Sequence, residues 1–150
     1  MDANAAYRLA DAAQLARLDA FELLMIEQPL EHDDLLDHAA LQRKLATPIC
    51  LDESLTGLRQ AEQALELGSC RIINMKVGRV GGYSQALPIH ALCRERGVPL
   101  WCGGMLESGV EVRADGTVAV PRGPGFGFGL DLDYLEACTQ AVERMDRAGD

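Results

Sequence analysis

The sequence predicts an α/β fold in which parallel strands alternate with helices, and three observations carry that expectation. Short apolar runs at Leu23 to Glu27, Ile49 to Asp52, Arg71 to Lys76 and Leu100 to Gly103 alternate with longer stretches whose apolar residues recur at helical intervals. Polar residues close these runs at a regular spacing: Asp2, Glu27, Asp52 and Lys76 follow one another at steps of 25, 25 and 24 residues. A strand, loop, helix and return loop take roughly 30 residues, so one step is one βα unit. Glycine and proline punctuate the boundaries, at Pro29, Pro48, Gly68, Gly78, Gly81, Gly82 and Gly97. Four functional groups are thereby set at the ends of neighbouring parallel strands, on one rim.

Each element has its own local reason. Asp2 comes one position after Met1, with no strand written before it. Asp11 with Gln14 reads as a capping box, and Ala12, Leu15, Ala16 and Leu18 give an apolar face to a helix ending near Asp19. The strand Leu23 to Glu27 is stopped by Pro29. Asp33 or Asp34 caps the next helix, which runs to about Leu45 and is ended by Thr47 and Pro48. After the strand Ile49 to Asp52, Thr56 is placed to cap a helix that carries Leu58, Ala61 and Leu65 inward, with Gly68 at its exit. Ile72 and Ile73 form a buried run, Asn74, Met75 and Lys76 bring it to a polar end, and the glycines from Gly78 to Gly82 break it into a loop. A helix from about Ser84 to Arg96 follows, with Pro88 near its first turn and Gly97 at its end. Beyond Val110 the alternation stops. A turn at Ala114 to Gly116, an extended piece at Thr117 to Val120, a glycine-alternating segment and a terminal helix from about Asp133 to Arg147 complete the chain.

Composition narrows the function. At 150 residues and 48% hydrophobic the chain can bury one ordinary core, yet it is well short of the roughly 250 residues of a closed (β/α)8 barrel. A net charge of −9 without clustered basic residues argues against nucleic acid and anionic membranes as partners. Cys50, Cys70, Cys93, Cys102 and Cys138 are odd in number and form no CxxC pair, which favours reduced packing residues, as Trp101 is expected to be, and a cytosolic setting. Neither a signal peptide nor a membrane span is written in the chain.

Three carboxylates converging from adjacent strand ends suit a hard divalent cation such as Mg²⁺, which takes oxygen ligands. Lys76, one of only two lysines against twelve arginines, then sits beside that cation. A neighbouring positive charge and partial burial turn a lysine into a usable general base, so the chemistry indicated is proton abstraction α to a carboxylate. Taken singly, each acid reads as a surface or capping residue rather than a ligand, since most acids are solvated, and Lys76 alone could be a snorkelling edge lysine. Their joint spacing is what singles them out. Glu107 reads as a cap or as a pocket residue. His32, His38 and His90 have no ligand spacing, and Gly123 to Gly129 lacks the Lys-Ser/Thr of a phosphate loop. The repeat also permits an unrelated doubly wound binding domain, which would not require the acids.

Asp2, Glu27 within IEQP, Asp52 within LDES, Lys76 within INMKVGRVGG, and WCGGMLESG together resemble the barrel domain of the enolase superfamily, in its muconate-lactonizing branch, with greatest similarity to its o-succinylbenzoate synthase and N-acylamino acid racemase members. The resemblance runs from Asp2 to Gly109, and Val118 to Leu135 is similar to the family's C-terminal tail. It implies that Asp2, Glu27 and Asp52 are Mg²⁺ ligands and Lys76 the sixth-strand lysine, that Glu53 and Asn74 stand behind the ligands, and that Gly103, Gly104, Met105, Leu106 and Glu107 line the substrate pocket. The implied fold is an unclosed part of a (β/α)8 TIM-type barrel over 1–110, about four βα units plus the end of a fifth strand, with a tail and helix over 111–150. The implied reaction is a Mg²⁺-dependent dehydration on the way to menaquinone, or a racemisation, acting on a small-molecule carboxylate. The chain departs from the family pattern in lacking the capping domain, the second-strand lysine pair and the eighth strand. Lys44 falls on a predicted helix, and Asp2 falls at a frayed end. The resemblance therefore also implies a truncated, internally deleted member, functional only if another chain such as a complementing N-terminal half supplies the missing lysines and strands, and otherwise a catalytically inactive remnant whose unpaired strand edges favour a homo-oligomer.

Overall fold

The computed structural model describes residues 1–104. Four parallel strands form its sheet in the order β1 (Ile26–Glu27), β2 (Ile49–Leu51), β3 (Ile72–Met75), β4 (Leu100–Cys102). The register pairs Glu27 with Cys50, Leu51 with Ile73, and Asn74 with Trp101. Asp2 adds a parallel bridge to Glu27 outside β1. That end is paired, not frayed: the Glu27 N–H donates to the Met1 carbonyl at 2.8 Å, and the Ala3 N–H to the Glu27 carbonyl at 2.9 Å. An unclosed parallel sheet of this order, with every crossover helical, is part of a (β/α) barrel.

The crossovers are α1 (Ala12–Ala16), α2 (Leu35–Gln42), α3 (Leu58–Leu67) and α4 (Tyr83–Arg96). α1 is flanked by tight 3₁₀ turns at Leu9–Asp11 and Arg17–Phe21. Ile26, Ile49, Leu51 and Ile73 from the strands, with Leu15, Leu41, Ala61, Ala64 and Ile89 from the helices, are fully buried in one core. Burial on the strands and on one face of each helix is what a helix-covered parallel sheet requires. Gly68 (φ 70) and Gly97 (φ 65) end α3 and α4 in the left-handed conformation, as their positions in the sequence predict.

Some local expectations are met, as with the Asp34 cap and the buried Cys50, Cys70 and Cys93, and others are corrected. Asp11 does not cap α1 with its side chain; its carboxylate accepts the N–H of Arg8 at 2.9 Å, one turn earlier. Of the pair Asp33 and Asp34, Asp34 is the cap of α2, accepting the Asp37 N–H at 2.9 Å. Gly57, not Thr56, is the N-cap of α3, and no side chain caps it. α2 ends at Gln42, so Lys44 lies beyond the helix and is exposed. Pro88 falls in the second turn of α4, where it removes the bond that an N–H would make to the Ser84 carbonyl. Cys50, Cys70 and Cys93 are buried, and burial pushes the Cys50 and Cys70 thiols up to about 12. Trp101 and Cys102, expected in the core, are exposed, because β4 is the edge strand among the described residues. The boundary at 110/111, Cys138 and the elements expected after Val110 lie outside the described residues.

Candidate functional site

The four spaced residues fall where the repeat sets them. Glu27 is the last residue of β1, Asp52 and Lys76 directly follow β2 and β3, and Asp2 bridges to Glu27. All four therefore stand at the C-terminal ends of adjacent parallel strands, the end at which barrel enzymes carry their chemistry.

Two polar couples organise this rim. The Lys76 ammonium donates to Asp52 Oδ2 at 2.7 Å, and the Arg79 guanidinium takes the other oxygen, Oδ1. The Asp52 side chain is 4% exposed and each basic side chain 20%, so the contact is held largely out of water. Asn74 donates its amide N–H to Glu27 Oε1 at 2.7 Å, and its Oδ1 accepts the backbone N–H of Gly103 at 2.9 Å. Asn74 thus ties the acid of β1 to the loop after β4. Glycine is needed at 103, since a Cβ there would lie 2.3 Å from Asn74 Oδ1.

Glu27 is buried, and burial is the main cause that raises its carboxyl above the usual carboxylate range. The negative charges of Asp2 and Asp52 push it further up, against the Asn74 hydrogen bond and the Lys76 charge. The rim therefore carries an excess of negative charge. Asp2 is exposed, and its Oδ1 accepts the Asn4 N–H at 3.1 Å. Glu53 follows Asp52, and its Oε2 is buried with no hydrogen-bond partner among the described residues. Gly103 is buried and Gly104 exposed, while Met105, Leu106 and Glu107 lie outside the described residues.

The expected convergence of three carboxylates is met in position but not in contact. Among the described residues no three acidic, thiol or imidazole groups are gathered closely enough to hold an ion. Asp52 is turned to Lys76 and Arg79, Glu27 to Asn74, and Asp2 to the backbone N–H of Asn4. The donor set itself fits a hard cation in kind, since all its donor atoms are carboxylate oxygens.

Two residues of the rim were not singled out from the sequence. Arg79 lies three residues after Lys76, and its N–H bonds the Lys76 carbonyl at 3.0 Å, a turn that brings the guanidinium back over Asp52. The i, i+3 spacing within KVGR was the signal available. Gln28 is fully buried between Glu27 and Pro29, with its side chain bonded across to the residues after β2. Of the histidines, His90 is exposed on α4, His38 is buried on α2 with its Nε2 accepting the Leu30 N–H at 3.2 Å, and His32 is exposed and lines a concavity with Glu53 and Ser54. Two concavities, of about 660 and 300 Å³, open by α2 and α3, and Glu53 is the only one of the expected site residues that lines either.

The profile of the family described as enolase C-terminal domain-like matches residues 1–115. The o-succinylbenzoate synthase of Geobacillus kaustophilus is 48% identical over 181 residues, covering 97% of this chain and 48% of the relative. That alignment is longer than the 150-residue chain, so within it the relative carries positions with no counterpart here. The N-succinylamino acid racemase of Thermus thermophilus is 46% identical over 173 residues, covering 92% of this chain and 47% of the relative. Among solved structures, an enolase superfamily member from Listeria innocua superposes with a TM-score of 0.83 at 38% identity, covering 95% of this chain and 48% of that one. A racemase from Streptomyces coelicolor with bound magnesium superposes at 0.75 with 29% identity, covering 91% and 46%. The chain spans about half the length of the curated relatives it matches. No helix among the described residues is long and apolar enough to cross a membrane. On the profile, the near half-identity of these relatives and the shared fold, the chain belongs to the enolase superfamily, in the family of enolase C-terminal-like domains.

Proposed function

We propose that this chain carries the cation-binding rim and one proton-transferring lysine of a Mg²⁺-dependent enzyme acting α to a carboxylate, as an o-succinylbenzoate synthase or an N-acylamino acid racemase working in the cytosol. The observation that carries the reading is the contact of Lys76 with Asp52, at 2.7 Å, between the ends of β2 and β3 and beside the buried Glu27. Asp2, Glu27 and Asp52 would hold the cation, which when bound supplies positive charge for a substrate carboxylate to be neutralised against. Lys76 holds or moves the proton at the α-carbon, and the Asp52 carboxylate fixes where its ammonium stands. Asn74 orients Glu27, and Gly103 lets the loop after β4 approach. The magnesium in the Streptomyces coelicolor racemase and the names of the curated relatives support this assignment.

A second reading is favoured by the lysine inventory. Racemisation needs a proton donor or acceptor on each face of the carbon, and the chain has two lysines, Lys76 at the rim and Lys44 exposed beyond α2. On this reading these 150 residues hold the cation and one of the two proton-transferring groups, and a small-molecule carboxylate is turned over where a further segment or a complementing chain supplies the other.

Thermal unfolding with and without millimolar Mg²⁺, with Asp52→Asn as control, tests the cation site. A ligand at a hundredfold excess over its Kd stabilises the native state by about 2.7 kcal/mol, a rise of roughly 8–12 °C for a body of about 100–150 residues. A rise that vanishes in Asp52→Asn is expected. An equal rise in both proteins, or none in either, refutes the site.

A further inference from the structure

Gln28 touches all three segments that bear the rim carboxylates. Its carbonyl accepts the Ala5 N–H at 2.8 Å, reaching the segment that begins at Asp2, and its own N–H donates to the Cys50 carbonyl at 2.8 Å, reaching β2. Its side chain is fully buried and makes four further bonds. Oε1 accepts the backbone N–H of Asp52 at 3.0 Å and that of Ser54 at 3.2 Å. Nε2 donates to the Leu30 carbonyl at 3.2 Å and to Ser54 Oγ at 2.7 Å. A primary amide has two donors and two acceptor lone pairs, so every valence is used. Its backbone, at φ 37, is in the left-handed region that a residue with a side chain seldom adopts. Such a conformation persists only where the surroundings over-determine it, and it is a reason to look for a function.

We infer that Gln28 is a positioning residue: by clamping Asp52 to the end of β1, it sets the spacing of the Asp52 and Glu27 carboxylates at which a divalent cation is bound. Glu27 precedes Gln28 directly, and the Asp52 N–H rests on the Gln28 amide oxygen, so the two acids are joined through one planar group and cannot drift apart independently. The bond to Asp52 is the one that bears on spacing. The bonds to Leu30 and Ser54 secure the amide but touch no carboxylate-bearing residue.

This inference rests on the cation reading above, and its test separates the two. Mg²⁺ affinity of the purified chain is measured by calorimetry, with hydrogen exchange of the Asp52 amide as a metal-independent readout, for wild type, Gln28→Met, Gln28→Glu and Ser54→Ala. The methionine variant keeps the volume and loses all four bonds, so a tenfold or greater rise in Kd and faster exchange at Asp52 are expected. The glutamate variant keeps an oxygen facing the Asp52 and Ser54 amides and is expected to restore Kd to within about threefold and to keep Asp52 protected. Ser54→Ala, which disturbs the clamp without touching Asp52, is expected to leave Kd within threefold. Unchanged affinity in Gln28→Met overturns the inference and leaves the cation site standing, as does an equal loss in Gln28→Met and Ser54→Ala, which marks general loosening. No binding by wild type overturns both. Should Gln28→Met not fold, a tenfold loss in Gln28→Glu with the Asp52 amide still protected refutes the clamp by itself.

Discussion

The tightest approach in the rim offers the sharpest stability prediction. Replacing Gly103 by alanine places a methyl group 2.3 Å from Asn74 Oδ1, 2.9 Å from its Nδ2 and 3.0 Å from its Cγ. A flexible surface side chain would yield at little cost. Asn74 is 1% exposed and held at both ends, by Glu27 at 2.7 Å and by the Gly103 N–H at 2.9 Å, so it moves only by giving up those bonds. A hydrogen bond to a charged acceptor contributes about 1.5–3 kcal/mol and a neutral one about 1. Gly103→Ala is therefore expected to cost about 2–4 kcal/mol, read as a lowered urea midpoint at unchanged m-value. The double-mutant cycle with Asn74→Ala isolates the cause, since the three heavy atoms nearest a Cβ at 103 all belong to the Asn74 amide, and in that background the alanine is expected to cost much less. A single Gly103→Ala variant within 0.5 kcal/mol of wild type, or an equal cost in both backgrounds, refutes the reasoning.

Two further outcomes follow from the same geometry. Lys76→Met keeps the aliphatic stem and removes the ammonium from Asp52. Breaking a buried ion pair outright costs about 3–5 kcal/mol, but Arg79 still pairs Asp52 and Lys76 is partly exposed, so about 1–2 kcal/mol is expected in urea unfolding, and no loss would show that the contact contributes nothing. His38 sets an acid-side limit. Its Nε2 accepts the Leu30 N–H at 3.2 Å and its Nδ1 lies 2.6 Å from the Asp34 carbonyl, so the ring is neutral with its hydrogen on Nδ1. Burial lowers its pKa from 6.5, against the Asp34 hydrogen bond and the charges of Asp34 and Asp37. The unfolded chain then binds a proton that the folded chain refuses, and stability falls as pH drops below about 6.5 towards the folded value. Urea midpoints between pH 7.5 and 5 should show that fall, and His38→Gln should lose it; an identical slope in the variant refutes the assignment.

The parts of this molecule that were legible in the sequence are those set by chain period. One βα unit has a nearly fixed length, so residues one period apart must end neighbouring strands, and Asp2, Glu27, Asp52 and Lys76 do. Gly68 and Gly97 were legible because only glycine adopts the left-handed helix exit without strain. What was not legible depends on where side chains turn after the backbone is placed. Asp11 satisfies Arg8 instead of its own helix, and Gly57 displaces Thr56 by a single residue. Trp101 and Cys102 read as core by composition, but their exposure depends on what covers β4, which local pattern does not encode. Position on the rim followed from spacing; the pairing of Asp52 with two cations and of Glu27 with Asn74 followed from rotamers and a turn after β3.

That distinction bears on how function and stability are joined in this chain. Among the described residues the strands are two to four residues long, so each contributes few ladder bonds to hold its end. The polar residues at the rim supply the missing ties. Gln28 joins β1 to the chain after β2, Asp52 joins that chain to Lys76 and Arg79 after β3, and Glu27 with Asn74 joins β1 through β3 to Gly103 after β4. Each tie uses a side chain that is buried or nearly so, where an unpaired partner is costly. A substitution made to probe chemistry at Asp52, Glu27 or Asn74 therefore also loosens a strand end, and loss of activity alone does not identify a chemical role. Cation affinity measured beside unfolding separates the two, because loosening lowers the urea midpoint of any rim variant, whereas a misplaced carboxylate weakens cation binding even at temperatures where the variant remains fully folded.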